Sequence, residues 1–462
     1  MTGTLWPVPP PPSAAASRWP RLVAPGERRS LLAAAGAYFA LLAGYYMLRS
    51  LREAFALEVG REHIDVLFYT TFVVMLAVLP LYWFAVARLP RRWLLPSIYA
   101  AVIVLFLLLA VGMRLSPGSR VLAAIYFVAV TSLNLFMVSV FWSVMVDAWR
   151  SEAARRLFGF IAAGGSAGAI AGPLFNSLLV ERLGPSWVIV VACALLSLAI
   201  VAGRRAQQAD PQAGVAVGDG NGANSLDIVN GSNGGDGRGD ARLDVAVGGR
   251  ALDDLRRLLT SPYLLTIAGL ILLGQVLGAF MYQEQARYVE QAYGALGERA
   301  ALFARIDLAV NLLALLFQSA VVGWLAARAG LRLALGFVPL LLIGSLVLLA
   351  LLPLGMVLLA TQVFRRAVDY GLFKPVREML FTVLNPESKF KSKSLIDTLL
   401  QRGGDSLGQF SYPLVAGLGL AGVAWACAAV AVLMLAGAWW LGGAFARQQA
   451  APVLQRLAAE RQ

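Results

Sequence analysis

Apolar residues fill this chain in long runs, and most runs are about as long as a helix needs to cross a bilayer, roughly 20 residues. Twelve runs can be drawn: 31–52, 64–87, 92–113, 120–147, 157–180, 186–203, 259–284, 302–326, 331–352, 354–382, 395–418 and 421–445. Each predicts a membrane-spanning helix. The pattern breaks once, between the sixth and seventh runs. There 204–257 turns to Gly, Asp, Asn and Ala (GDGNGANSLDIVNGSNGGDGRGD), a composition that cannot bury a core. It predicts a flexible linker.

The expected organisation is therefore a Pro-rich tail (1–27), a six-helix half (28–203), the linker (204–257), a second six-helix half (258–446) and a C-terminal tail (447–462). The halves look related. Gly164-Gly165 in the fifth span and Gly403-Gly404 in the eleventh each follow a charged loop and precede a Pro-Leu pair. The fold class predicted is an all-α membrane protein of about twelve transmembrane helices in two six-helix pseudo-repeat halves. That is the arrangement of major facilitator transporters, whose substrates bind between the halves near mid-membrane.

Composition agrees: 59% of residues are hydrophobic and 14% are charged, against about 25% charged in soluble domains. With both termini placed inside, the inner segments hold 25 of the 39 Lys and Arg, including the long linker. This positive-inside bias predicts cytoplasmic termini and, for a bacterial cell, the inner membrane. It also accounts for much of the net charge of +13 without a nucleic-acid partner. Cys193 and Cys427 lie in apolar runs without metal-ligand spacing, and the only histidine, His63, lies in a loop. No metal site, cofactor or catalytic nucleophile–base pair is expected, and hence no enzyme.

Charge inside the apolar runs is costly and marks candidate function. All four lysines fall in one stretch, as Lys374, Lys389, Lys391 and Lys393. The last three predict an inner loop, whereas Lys374 lies in the tenth span. There Arg366, Tyr370, Lys374 and Arg377/Glu378 form a ribbon at helical spacing, with Arg365 and Asp369 nearby. In the eleventh span Asp397, Gln401, Asp405 and Gln409 recur every four residues, with Arg402 beside them. Pairing of Arg402 with Asp405 or Asp397 competes with lining of a substrate path. The first span ends in YYMLRSLREAF, with Tyr45, Arg49 and Glu53 on one face and Arg52 alongside, and the seventh carries Glu284 and Arg287. For Arg49, snorkelling to the outer interface is the competing reading. The inner loop DAWRSEAARRLF (147–158), with Asp147, Arg155 and Arg156, matches the lysine loop and could gate by ion pairs. Gly164, Gly168 and Gly172 share a helix face and suit close helix packing, since the phosphate-loop pattern is absent.

FKPVREMLFTV followed by ESKFKSKSLIDTLLQRGGD resembles the major-facilitator-like relatives of the ATP/ADP translocases of plastids and intracellular bacteria. LRSLRE, SEAARRLFGFIAAGG and LFARIDLAVNLLALLFQSAVVGWLAARAGLRLAL fit the same pattern. The resemblance implies nucleotide exchange through basic and acidic membrane residues. A family lysine of the first span matches Arg49 or Arg52. A family acid of the seventh matches Glu284, and a lysine before the Gly-Gly of the eleventh matches Arg402. The chain departs in the fourth span, where Thr131, Ser132 and Asn134 stand in place of a carboxylate, and in having Arg for Lys.

Together these readings predict a secondary transporter of a small anionic solute, either a nucleotide or another phosphorylated metabolite. The expected substrate contacts are Arg49, Arg52, Glu284, Lys374, Arg377 and Arg402. Asp147, Arg155, Arg156, Glu378, Asp397 and Asp405 are the expected gating or ion-pairing residues. A major facilitator permease for a non-nucleotide solute, and a membrane sensor or scaffold that binds without transport, are the alternatives.

Overall fold

The computed structural model describes residues 27–88, 90–148, 151–208, 260–322, 330–380 and 400–459. Most of the expected N-terminal tail and linker lie outside the described residues, as do Lys389, Lys391, Lys393 and Asp397. Among the described residues the chain is helical and contains no strand.

The first six helices are α1 (Glu27–Val59), α2 (Ile64–Arg88), α3 (Arg91–Leu115), α4 (Arg120–Ala148), α5 (Ser151–Leu183) and α6 (Pro185–Gln208). After the linker come α7 (Pro262–Ala292), α8 (Leu296–Leu316), α9 (Gly330–Leu351), α10 (Gly355–Val368), α11 (Lys374–Leu380), α12 (Gln401–Ser411), α13 (Pro413–Ala416) and α14 (Gly419–Ala459). Every predicted span has a helical counterpart. Nine of these helices are long and apolar enough to cross a membrane among the described residues. Three expected spans are not among the nine: the second, α2, in which the side chains of 81–87 lie outside the described residues, and the tenth and eleventh, which fall short for physical reasons. One is divided by a π turn and carries several charges, and the other holds Gln401, Arg402, Asp405 and Gln409 within eleven residues.

Local sequence sets the helix ends. Gly184 closes α5 with φ of 80°, a backbone that side-chain-bearing residues avoid, and its N–H reaches the Val180 carbonyl at 3.0 Å. Pro185 then opens α6, where a missing N–H costs nothing. Ser261 caps α7 through its hydroxyl and the Leu264 N–H, again with proline in the first turn.

By contacts, the chain forms two compact units. The first comprises Met1–Phe55, Val74–Pro211 and Leu296–Leu308, and the second Ala56–Val73, Gln212–Ala295 and Ala309–Gln462. They differ from the sequential halves by short exchanged segments. Ion pairs Arg49–Asp307 (3.9 Å) and Arg305–Glu181 (3.6 Å) hold the start of α8 within the first unit. Arg61–Glu290 (3.2 Å) holds the loop before α2 within the second.

In the first unit, α5 lies directly on α1. A β-carbon at Gly164, Gly168 or Gly172 would collide with the carbonyl oxygens of Ala35, Phe39 and Ala43 respectively. Two backbones in contact over about two turns maximise dispersion, which is the main attraction available between helices in lipid. The predicted packing role of these glycines is what the structure shows. Around this seam Tyr126 donates to the Leu48 carbonyl (3.0 Å), Asn176 to the Met47 carbonyl (3.1 Å) and Ser30 to the Ala206 carbonyl (2.9 Å).

The second unit has an apolar core built from α7, α9, α10, α11 and α14, including Ile267, Leu335, Leu346, Val368, Cys427 and Leu441. Two π segments pack together within it, Phe317–Val322 after α8 and Asp369–Phe373 after α10. A π turn leaves backbone carbonyls out of step with the i+4 ladder. Gln318 donates to the Tyr370 carbonyl at 3.1 Å. Gly371 sits so close that a β-carbon would lie 2.8 Å from both the Ala314 carbonyl oxygen and the Phe317 Cβ. Gly371→Ala should therefore push the segments apart and destabilise by about 1–3 kcal/mol, as overpacking does. Thermal melting in detergent checks this.

The π turn at Asp369–Phe373 lies inside the ribbon expected from helical spacing. Tyr370 and Lys374 still share a face, the ammonium lying 4.4 Å from the ring centroid.

Candidate functional site

Polar side chains buried in the spans collect into one cluster in each unit. In the first unit the cluster is built on α1, α4 and α8. Arg52 donates to the Thr131 hydroxyl (3.1 Å), pairs with Glu53, and lies over the Phe127 ring (5.1 Å). Arg49 faces Asp307 at 3.9 Å and lies 5.5 Å from the Tyr46 ring centroid. Both arginine side chains are 12% exposed, and Asp307 is 2% exposed. Helix α1 runs on beyond them to Val59, so neither is at a helix end. Arg49 is packed inside the protein and does not snorkel. Nearby, the Ser132 hydroxyl and the Asn134 side-chain carbonyl are buried without a hydrogen-bond partner. Burying such groups unsatisfied is costly, and polar ligands or water are the usual remedy.

In the second unit α7 is the hub. Gln283, Glu284 and Gln285 are consecutive and all buried, which requires neighbours on most sides of the helix. Each meets a different group. Gln283 donates to the Gln409 side-chain carbonyl on α12 (2.6 Å), and Gln285 accepts from Gln362 on α10 (2.7 Å). Gln362 in turn accepts from Arg365 (2.9 Å). Glu284 accepts from the Tyr412 hydroxyl (2.7 Å), while Arg287 donates to that same hydroxyl (2.8 Å) and lies 3.4 Å from the carboxylate. The triad gives the buried Glu284 carboxylate both a hydroxyl and a guanidinium partner. Tyr412→Phe removes the hydroxyl that both residues use. It should destabilise by about 1–3 kcal/mol, read as a lowered Tm.

Below the triad, Arg365 and Asp369 line a cavity of about 30 Å³ with Gly274, Leu277 and Phe373. That volume accommodates a water or two at most. Lys374 is half-buried, its ammonium 4.4 Å from the Tyr370 ring centroid. No carboxylate pairs with it among the described side chains. Arg377 is 7% exposed. Arg402 pairs with Asp405 at 3.6 Å, the two side chains 26% and 22% exposed. That is the internal pairing weighed from the sequence. Buried Ser406 and the Gln409 side-chain amide nitrogen complete the α12 face, each without a hydrogen-bond partner.

Residues 334–446, from α9 to α14, match the model of the TLC ATP/ADP transporter family. This segment holds Lys374, Arg377, Arg402 and Asp405. The match covers 113 of the 462 residues, so it is this C-terminal part of the chain that is similar to the TLC ATP/ADP transporters. Solved structures agree on the fold. A bacterial homolog of the human lysosomal transporter Spinster, inward-facing and unoccupied, is 13% identical with a TM-score of 0.55, covering 92% of this chain and 98% of its own. A point mutant of the nucleoside transporter NupG is 14% identical with a TM-score of 0.55, covering 91% and 99%. A POT family transporter in complex with a thioalcohol-conjugated peptide is 13% identical with a TM-score of 0.62, covering 92% and 99%. No curated protein sequence matches the chain. Nine long apolar helices among the described residues, together with this match, make the chain a multi-pass membrane protein.

Of the site residues expected from sequence, Arg49 and Arg52 fall in the cluster of the first unit. Glu284, Lys374, Arg377, Arg402 and Asp405 belong to the second unit. The side chains of Asp147, Arg155, Arg156 and Glu378 lie outside the described residues, as does Asp397 entirely. Sequence reasoning missed Asp307, Gln283, Gln285, Gln362 and Tyr412. A signal existed for the glutamines: uncharged amides within otherwise apolar spans need partners as much as charges do. Asp307 was readable as an isolated carboxylate in LFARIDLAVNLL.

Proposed function

We propose that this protein carries a small phosphorylated anion across the bacterial inner membrane, with both termini in the cytoplasm. A nucleotide is the first candidate. The observation that carries the reading is Lys374, a half-buried ammonium in a membrane segment without a carboxylate partner among the described side chains. A lysine costs about 2.5–3.5 kcal/mol at the centre of a membrane helix, so one within a span marks a candidate site. An anionic solute would pair with it.

The neighbouring groups fit a polyanion. Among the described side chains of residues 284–287 and 365–405, Arg287, Arg365, Arg366, Lys374, Arg377 and Arg402 outnumber Glu284, Asp369 and Asp405. Arginine's planar fork suits phosphate oxygens, and charge-assisted donors are the strong ones. Buried Ser406 and Gln409 offer neutral donors beside them. Arg49 and Arg52 are the corresponding cations of the first unit. Arg402–Asp405 and Arg49–Asp307 are pairs that binding or gating would rearrange.

A ligand screen by thermal shift tests the substrate class. A ligand at 100 times its Kd stabilises the folded state by about 2.7 kcal/mol. ATP, ADP or a sugar phosphate should raise Tm, while uncharged nucleosides should not. A rise with neutral solutes alone would replace the reading with a permease of another class. Binding without flux would favour the sensor alternative.

A further inference from the structure

A groove of about 1110 Å³ runs between α9 and α14 on the outside of the second unit. Ascending residues Arg332, Gly336 and Leu340 of α9 line it together with descending Arg447, Gly443, Trp439 and Val432 of α14, so the helices are antiparallel there. They cross tightly at one end, where a β-carbon on Gly442 would lie 2.6 Å from the Arg332 Cα. From Val432 to Arg447 at 1.5 Å per residue the groove is about 22 Å long, enough for the acyl region of one leaflet, about 15 Å.

The two ends differ chemically. Arg332 is the only charged residue of α9, at its start, and Arg447 is the first on α14 after an uncharged stretch from Gly419. Both therefore sit at the same boundary between apolar span and polar phase. Arg332 lies 4.2 Å from the Trp439 ring centroid, a ring type that favours the headgroup level. No carboxylate lines the groove, and neither arginine has a carboxylate partner among the described residues. The rest of the lining is apolar.

We propose that this groove is a binding site for one anionic diacyl phospholipid. Its phosphate sits at Arg332 and Arg447, and an acyl chain lies over Gly336, Phe337, Leu340 and Trp440. The site is separate from the polar clusters assigned to transport and does not rest on that assignment.

Native mass spectrometry of the full chain, with phosphatidylglycerol and phosphatidylcholine of equal chain length, tests this. Each arginine near a membrane surface contributes about 5-fold to anionic-lipid binding. The wild type should hold one phosphatidylglycerol about 25-fold more tightly than phosphatidylcholine. Arg332→Gln should lose about 5-fold of that preference, and Arg332→Gln/Arg447→Gln nearly all of it, with Tm in detergent preserved. Arg204→Gln is the control, since Arg204 also covers a tryptophan, 5.1 Å from the Trp93 ring, in the other unit. Equal retention of the two lipids overturns the proposal. So does an Arg204→Gln loss as large as that of Arg332→Gln, or displacement of the lipid by inorganic phosphate. A dimer in detergent that excludes phosphatidylglycerol would assign the groove to a second copy and likewise overturn it.

Discussion

Lys374→Gln is expected to cut saturable uptake of the phosphorylated substrate by about 10- to 100-fold while leaving the folded protein intact. The magnitude follows from one lost charge-assisted contact, about 1.5–3 kcal/mol. The stability half of the expectation is the discriminating one. A lysine that served only structure would be paired, and removing one partner of a buried pair costs about 3–5 kcal/mol. Lys374 has an aromatic ring and no carboxylate among the described side chains. Its removal forfeits a cation–π contact of about 0.5–2 kcal/mol and relieves a desolvation cost of similar size. Tm should therefore hold within a few degrees of wild type. Lys374→Arg should retain part of the uptake, since charge survives while geometry changes. A large fall in Tm with Lys374→Gln would make the residue structural.

Gly168→Val is expected to have the largest effect on stability of any single change in the first unit. Its β-carbon would collide with the backbone carbonyl of Phe39, and no side-chain rotation relieves a backbone collision. Overpacking typically costs about 1–3 kcal/mol, and a rigid seam gives the upper end. The helices must separate, which also loses the Gly164 and Gly172 contacts on the same face. Little folded protein should be recovered from membranes, with a Tm well below wild type. Gly36→Ala and Gly159→Ala are the controls, because a β-carbon at either meets nothing within 4 Å. They should be neutral or slightly stabilising, as alanine is a better helix former than glycine.

Much of this architecture was legible in the chain. Runs of apolar residues place the nine helices long and apolar enough to cross a membrane among the described residues, because lipid permits backbone only in closed hydrogen-bonded form. The glycine stripe of α5 was legible as a packing face because its four-residue period is a property of the helix itself. Two things were not legible. The π turn at Asp369–Phe373 depends on a neighbour, the segment after α8 that presses on Gly371 and supplies Gln318. Periodicity within one helix carries no trace of it. The glutamine bridges from α7 to α10 and α12 were also hidden, because partners 77 and 126 residues away along the chain meet only in the fold. Charges were found readily and their partners poorly: Arg49 was evident, its pairing with Asp307 was not.

The central claim is that a phosphorylated anion crosses the membrane through this protein. Counterflow in liposomes tests it most directly: purified protein, vesicles preloaded with unlabelled ADP, and external labelled ATP without an ion gradient. The account predicts saturable accumulation of label that is inhibited by unlabelled nucleotide or by a competing sugar phosphate, and that is lost with Lys374→Gln. Label that never exceeds protein-free vesicles, for nucleotides and sugar phosphates alike, would contradict it.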